Sequence, residues 1–371
     1  MAVVTIGEVV VDWISTTIGA DFLTARDFVR SLGGNASNVA IGLCRLGTAA
    51  SLIGKRGDDS HGRFLLDILS REGVDLSYLF VDNEYPTAQC YVFRHANEEH
   101  TFHNWPRPNA SHRLVADEIT KEQFEGASFL HATGISLTMA PRRFAVIKAM
   151  EIARALAVPV SFDAGFPTGE DEEARRFSLT ALSLATLVKV NLSELKFWAE
   201  SLSDVDKTLP KAEAASDPKD RRILEDDEGS GVAFKAIDRA SGEPLAWVTE
   251  YARALTASLE RPLLVVTLGP HGSLICMKDG AIAYCPGSKV EAHSELGAGD
   301  AFVAGLIHAL VSRADGKQTL QVIDRMSAES WMEVLSYANA VGALSTSAMT
   351  AWEAMPSHLE VEKLLKSGAT R

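Results

Sequence analysis

Short apolar runs alternate with longer segments of helical periodicity along most of the chain. Ala2–Ile6, Ala49–Ile53, Phe129–His131, Val158–Asp163, Leu187–Val190 and Leu263–Leu268 are brief, rich in β-branched residues and often close on Gly, Asn or Asp. That pattern predicts buried strands. Apolar residues recur at helical spacing over 35–46, 62–72, 142–155, 174–185, 246–259, 299–312 and 331–345. Strands alternating with helices predict an α/β chain, a mostly parallel sheet with helices on both faces. Two stretches break the rhythm. Residues 9–30 and 87–107 alternate and carry aromatics, with no helix between Gln89–Arg94 and His100–Trp105, and Asn97-Glu98-Glu99 supplies a turn. They predict a small antiparallel sheet standing off the main one.

A third stretch, about 200–243, holds twelve Asp or Glu and seven Lys or Arg, with Pro210, Pro218 and Gly229-Ser230-Gly231. It reads as an acidic surface insertion. The whole chain has 371 residues and a net charge of −13, which speaks against nucleic acid or a membrane surface as partner. Hydrophobic residues make up 46%, so a packed core rather than disorder is expected. The first residues, MAVVTIGEVVVDWI, read as a strand and not as a leader, and no apolar run is long enough for a membrane span. Cys44, Cys90, Cys276 and Cys285 form no Cys-x-x-Cys pair, which predicts free thiols and a cytoplasmic location.

Several chemistries are unsupported. There is no G-x-x-x-x-G-K-[ST] phosphate loop, no H-E-x-x-H, no G-x-S-x-G elbow, and the first strand is followed by no G-x-G-x-x-G. Two glycine-rich helix starts remain. Gly297-Ala298-Gly299-Asp300 opens the helix at 299–312. Its first-turn N–H groups and helix dipole make an anion site. A carboxylate beside an anion site suits proton removal from a hydroxyl while the N–H groups stabilise a transferring phosphoryl. Gly33-Gly34-Asn35-Ala36-Ser37-Asn38 opens another apolar helix. There the glycines permit close approach, and Asn35 and Asn38 offer donors and acceptors to hydroxyls.

Taken together, in this order and spacing, the two motifs resemble the signatures of the ribokinase (PfkB-type) carbohydrate kinase family. The resemblance covers nearly the whole chain, from Gly7-Glu8 and Asp12 to Ala338-Asn339-Ala340. It implies one ribokinase-like domain over 1–371, a three-layer α/β/α sandwich with a small β-sheet lid from 9–30 and 87–107. It implies ATP and Mg²⁺, with Asp300 as base and the N–H groups of Gly297, Ala298 and Gly299 stabilising the transferring group. Asn191 and Glu194 match the family's N-x-x-E element, and Glu194 would hold Mg²⁺ through water. Thr267, Gly269 and Gly272 match its T-x-G-x-x-G loop at the nucleotide, and Asn339 lies where a helix flanks the adenine. On the acceptor side the resemblance points to Asp12, Gly33, Gly34, Asn35, Asn38 and Arg107, with Phe102 and Trp105 in the lid. A homodimer through the lid is implied as well.

Two departures shape the expectation. Ser294-Glu295-Leu296 stands where the family often has D-T-T, which leaves a monovalent cation open. Asp163-Ala164-Gly165-Phe166-Pro167 lacks the Asn and Arg of D-x-N-x-R, and Arg175 or Arg176 is the expected replacement cation. The function expected is an ATP-dependent sugar kinase acting on a keto-sugar such as fructose. A 2-keto-3-deoxygluconate kinase, an inositol-pathway sugar-acid kinase, a nucleoside kinase and a silent regulatory member stay open.

Overall fold

A computed structural model describes residues 2–95, 100–165, 172–202, 236–238, 241–259, 262–315 and 318–368. Its larger sheet has nine strands in the order β13-β12-β11-β10-β9-β8-β1-β4-β5. Strand β1 (Val3–Ile6) is flanked in parallel by β4 (Ala50–Gly57) and β8 (Phe129–Thr133). Strands β9 (Val160–Asp163), β10 (Leu187–Asn191) and β11 (Leu263–Thr267) continue in parallel on one side, and β5 (Leu79–Asp82) on the other. The hairpin strands β12 (Ser273–Cys276) and β13 (Ile282–Cys285) close one edge antiparallel.

The two-residue period of the strands sorts their side chains into two cores. Val3, Leu263 and Val265 join one, packed by α1 (Asn35–Arg45), α2 (Ser60–Arg71), α7 (Ala298–Ala314), α8 (Thr319–Ile323), α9 (Ala328–Leu344) and α10 (His358–Lys366). Val4, Ile6, Leu264 and Val266 join the other, packed by α3 (Arg142–Ala155), α4 (Glu172–Leu184), α5 (Leu192–Leu202) and α6 (Ala246–Ser258). The three-layer expectation holds, and the six predicted strands and seven predicted helices are all present. Strands β5, β12 and β13 and helices α5, α8 and α10 are additions. They are short or edge elements whose apolar positions are too few to show a period.

The separate small sheet has the order β3-β2-β6-β7, with β2 (Val10–Ser15), β3 (Phe28–Gly33), β6 (Ala88–Arg94) and β7 (His100–Trp105). It is mixed, not wholly antiparallel as expected: β2 and β6 pair in parallel, and β3 and β7 are the antiparallel edges. Both central strands follow parallel strands of the large sheet, β1 and β5, so they leave it in the same direction. The turn expected at Asn97–Glu99 lies outside the described residues. So does most of the acidic stretch, 203–235 and 239–240. At its described end Ala236 is buried and Ile237 bridges Pro244. The four cysteines are free, and among the described residues no helix is long and apolar enough to cross a membrane.

Helix α7 lies between α1 and α9 at very short range. A Cβ on Gly42 of α1 would stand 2.7 Å from Ala304 Cβ, and one on Gly305 would stand 2.8 Å from Val341 Cγ2 and 3.1 Å from Ala338 Cα. Around these contacts Phe302, Val303, Leu306, Ile307 and Leu310 are buried, each contributing roughly 1.5–3 kcal/mol. Helix propensity alone would favour Gly305→Ala by about 1 kcal/mol. Overpacking against Val341 and the α9 backbone costs about 1–3 kcal/mol and should prevail. The expected outcome is a lower thermal midpoint for Gly305→Ala; a raised one would mean that the helices separate freely.

Candidate active site

Polar side chains gather where the parallel strands end, the position at which open α/β sheets place ligands. Gly297 is the N-cap of α7 with φ 78°, and a Cβ there would come within 2.5 Å of Ala351 Cβ. Glycine is therefore required both by conformation and by space. The turn leaves the N–H groups of Gly299 and Asp300 without helical partners ahead of them, while the Ala298 N–H donates to Glu295 O at 3.0 Å. Asp300 sits in that turn, 7% exposed. Asn38 Nδ2, from the second turn of α1, donates to Asp300 Oδ2 at 2.8 Å. The two glycine-rich motifs thus meet in space. Asn38 Oδ1 is buried and has no hydrogen-bond partner, an acceptor left over at the same point.

Gly33 and Gly34 end β3 and start α1. A Cβ on Gly33 would fall 2.0 Å from Asp12 Oδ2, so the Asp12 carboxylate lies directly on the glycine backbone. Asn35 opens α1, and its backbone N–H points back to Glu8 Oε1 at 2.9 Å. Register puts Ser31, Asp12, Cys90 and Asn104 in one row across the small sheet, all on one face. Phe102, 52% exposed, shares that face. Arg107 is exposed just beyond β7. Burial and the Asp12 carboxylate push the Cys90 thiol up, while the Arg107 guanidinium acts in the opposite sense. Arg107 and Asp12 therefore act on one neighbourhood of the small sheet.

Sequence reasoning missed Lys189. It pairs in register with Asp163, and its Nζ donates to both Asp163 oxygens at 3.1 and 3.2 Å. Glu194 Oε2 stands 4.0 Å away. A Cβ on Gly299 would lie 3.4 Å from the same Nζ, so the ammonium sits beside the anion-binding turn. Burial alone would lower the lysine, but the carboxylates of Asp163, Glu194 and Asp300 outweigh it and hold the proton on firmly. A cation inside the apolar run Leu187-Val188-Lys189-Val190 was the available signal, because an unpaired buried lysine is so costly. The expected replacement cations are elsewhere: Arg176 is on the exposed side of α4 beside Glu173, and Arg175 is exposed too.

On the nucleotide side, Asn191 ends β10 and Glu194 lies in the first turn of α5. Asn191 N–H donates to Glu194 Oε2 at 2.7 Å and Glu194 N–H to Asn191 Oδ1 at 2.9 Å, a reciprocal cap. Thr267 ends β11, with its hydroxyl 3.4 Å from Val190 O. The turn from Gly269 to Gly272 follows, and a Cβ on Gly272 would strike Cys285 O at 2.2 Å. Asn339 lies on α9. Its Nδ2 donates to Cys285 O and Pro286 O, and its Oδ1 accepts from Ser273 at 2.9 Å. The amide ties α9 to the β12–β13 edge.

The Asp300 carboxyl is pushed up to about 8, chiefly by burial. The Asn38 hydrogen bond and Lys189 oppose the shift, and Asp163 and Glu8 add to it. Burial also pushes Asp12 up to about 7. A base poised near neutrality, beside oriented N–H donors and a lysine, and faced by a sheet carrying hydroxyl-binding groups, has the makings of phosphoryl transfer to an alcohol. Residues 2–224 and 226–357 match the model of the pfkB family carbohydrate kinases, and the chain belongs to that family. It is 31% identical to fructokinase-1 of Zea mays over 372 residues, 98% of this chain and 97% of that one. It is 31% identical to fructokinase-1 of Oryza sativa subsp. japonica over 373 residues, 98% of each chain. Among solved structures, the fructokinase of Xylella fastidiosa with bound ATP superposes with a TM-score of 0.78 at 24% identity, covering 99% of this chain and 98% of that one. The Vibrio cholerae O395 fructokinase in its fructose, ADP and calcium-bound form gives 0.73 at 24% identity, covering 98% and 99%.

The raised Asp300 pKa sets a stability prediction. The folded protein holds this proton more tightly than the unfolded chain, where the ordinary value is 3.8. The stabilisation is complete below that value and is lost as pH climbs towards 8. Asp300→Asn should unfold at a higher temperature than the natural protein, by a margin that widens from about pH 5 to about pH 9. Calorimetry across that range checks it, and a constant margin would show that the carboxyl does not titrate there.

Proposed function

We propose that this carbohydrate kinase carries the γ-phosphoryl group of ATP to a hydroxyl of a keto-sugar, with fructose the leading acceptor. The observation that carries the reading is the buried Asp300 carboxyl, placed in the first turn of α7 and held there by Asn38. Asp300 takes the proton from the acceptor hydroxyl. The backbone N–H groups of Gly297, Ala298 and Gly299 meet the charge that develops on the transferring group, and Lys189 reinforces them. The full-length likeness to plant fructokinases supports fructose. So do the hydroxyl-matching groups Asp12, Asn35 and Asn38 around the glycine pair Gly33 and Gly34.

The small sheet acts as the lid. Asp12 and Arg107 orient the acceptor under it, and its closure keeps out the water that would otherwise compete for the phosphoryl group. Thr267, Gly269 and Gly272 line the nucleotide, and Asn339 shapes that wall through β12 and β13. The oxygen donors Asn191 and Glu194 suit a hard divalent ion. Among the described residues no three His, Cys, Asp or Glu side chains converge as a metal cage. Mg²⁺ keeps several waters and is held mainly by phosphates, with Glu194 at the outer shell. Such an ion would neutralise phosphate charge. The exposed cation Arg107 favours one second reading, a sugar acid such as 2-keto-3-deoxygluconate, whose carboxylate it could pair.

ADP release from Mg·ATP across ketoses, aldoses, sugar acids, inositols and nucleosides tests this. Fructose should give the highest kcat/KM, and Asp300→Asn should lose at least about a thousandfold in turnover while still binding ATP. Retained turnover would remove the base assignment, and a preference for the sugar acid would select the second reading. The free-enzyme profile of kcat/KM should rise with pH towards about 8, since only ionised Asp300 accepts a proton. A flat acid side would contradict that role.

The outer face of the lid supports a homodimer. Phe22, 58% exposed, packs edge-on against Tyr91, Phe93 and His103, and Trp105 is 65% exposed on the same face. Sedimentation should find a dimer that Phe22→Glu splits; a natural protein that sediments as a monomer would refute it.

A further inference from the structure

Helix α1 begins without a cap of its own. Its N-cap, Gly34, has no side chain to receive a first-turn N–H, and the first turn contains no acidic residue. A larger residue cannot stand there, because a Cβ on Gly34 would lie 2.5 Å from Glu8 O and φ is 95°. The missing acceptor arrives from another element. Glu8, 5% exposed just past β1, takes the Asn35 N–H on Oε1 at 2.9 Å. Its Oε2 accepts from the hydroxyls of Ser136 and Thr133. The Glu8 carbonyl accepts from Ser37 Oγ at 3.3 Å. Behind Ser136, the buried Arg142 donates through Nε to Ser136 O at 3.0 Å, through Nη1 to Ser111 Oγ at 2.8 Å and through Nη2 to Ile135 O at 2.9 Å.

We propose that Glu8 is a positioning residue for phosphoryl transfer: its carboxylate caps α1, sets Asn38 against Asp300 and keeps a fixed negative charge behind the acceptor site. The inference rests on the reading of Asp300 as the base. Three arguments support it. A carboxylate at a helix N-terminus meets both the free N–H groups and the dipole. Asn38 follows Asn35 by one turn, so a shift of the helix start moves the Asn38 amide directly. The three hydrogen bonds to the carboxylate come from the start of α1, the end of β8 and the turn that follows it, so the group joins α1 to the end of β8. The charged and polar groups acting on Asp300 are Asn38 from α1, Asp163 from β9, Lys189 from β10 and Glu8 itself. Glu8 is the one among them that also holds the backbone of the acceptor motif.

Two variants separate position from charge. Glu8→Gln keeps an acceptor for the Asn35 N–H and can donate to the Ser136 hydroxyl, but removes the charge. Glu8→Ala removes both. Glu8→Gln should keep both KM values within about twofold while the acid side of the kcat/KM profile moves to lower pH, because a negative neighbour of Asp300 is gone. Glu8→Ala should lower kcat at least about tenfold and raise the acceptor KM, with the nucleotide KM unchanged. A well-folded Glu8→Ala with the natural constants would overturn the proposal, as would a Glu8→Gln profile that stays in place. If Glu8→Ala does not fold, the Glu8→Gln profile decides alone. Asp300→Asn in parallel keeps the two ideas apart. Retained turnover there would remove the base, while the acceptor KM of Glu8→Ala still reads the clamp.

Discussion

The hydrogen bond from Asn38 to Asp300 joins segments 262 residues apart and sits where the two halves of the site must agree. It is buried, so neither partner can turn to water without leaving a polar atom stranded. Around it the helix α7 has little freedom. Gly42 and Ala304 touch on one side, Gly305 and Val341 on the other, and the Gly297 turn presses on Ala351. Close packing of small residues is thus the means by which a carboxylate is carried into a low-dielectric site and held at one point.

That burial creates the chemistry and an electrostatic problem together. Asp163, Glu194 and Asp300 act on Lys189, the positive charge that reduces their repulsion, and Glu8 acts on Asp300. Arg142 stands behind Glu8 in the same capacity. Burial first, and the repulsion that remains second, raise the affinity of Asp300 for a proton and bring its titration towards neutrality.

The small sheet follows the same economy of parts. Its inner row, Ser31, Asp12, Cys90 and Asn104, derives from strict register across four strands. Its outer face derives from the alternate positions, Trp13, Tyr91 and His103. One alternating pattern therefore supplies both the polar row that includes Asp12, set among the apolar Val10, Ile14, Ala88 and Val92, and an aromatic surface on the opposite face.

By itself the sequence determined the layers, the six central strands and the two glycine-rich helix starts. These are local matters: strand and helix periods repeat over a few residues, and Gly297 and Gly34 stand where only glycine fits. Tertiary structure decided the rest. That β2 and β6 run parallel depends on how both leave the large sheet. That Lys189, and not Arg175 or Arg176, lies beside the Gly299 turn depends on β9 and β10 aligning Lys189 with Asp163. That the Asn339 amide binds the β12–β13 edge depends on two short strands with no legible period. That Glu8 caps a helix opening at Asn35 depends on the fold returning the chain to the end of β1. Each is a contact between residues distant in the chain, and local patterning holds no record of which distant partner will be brought near.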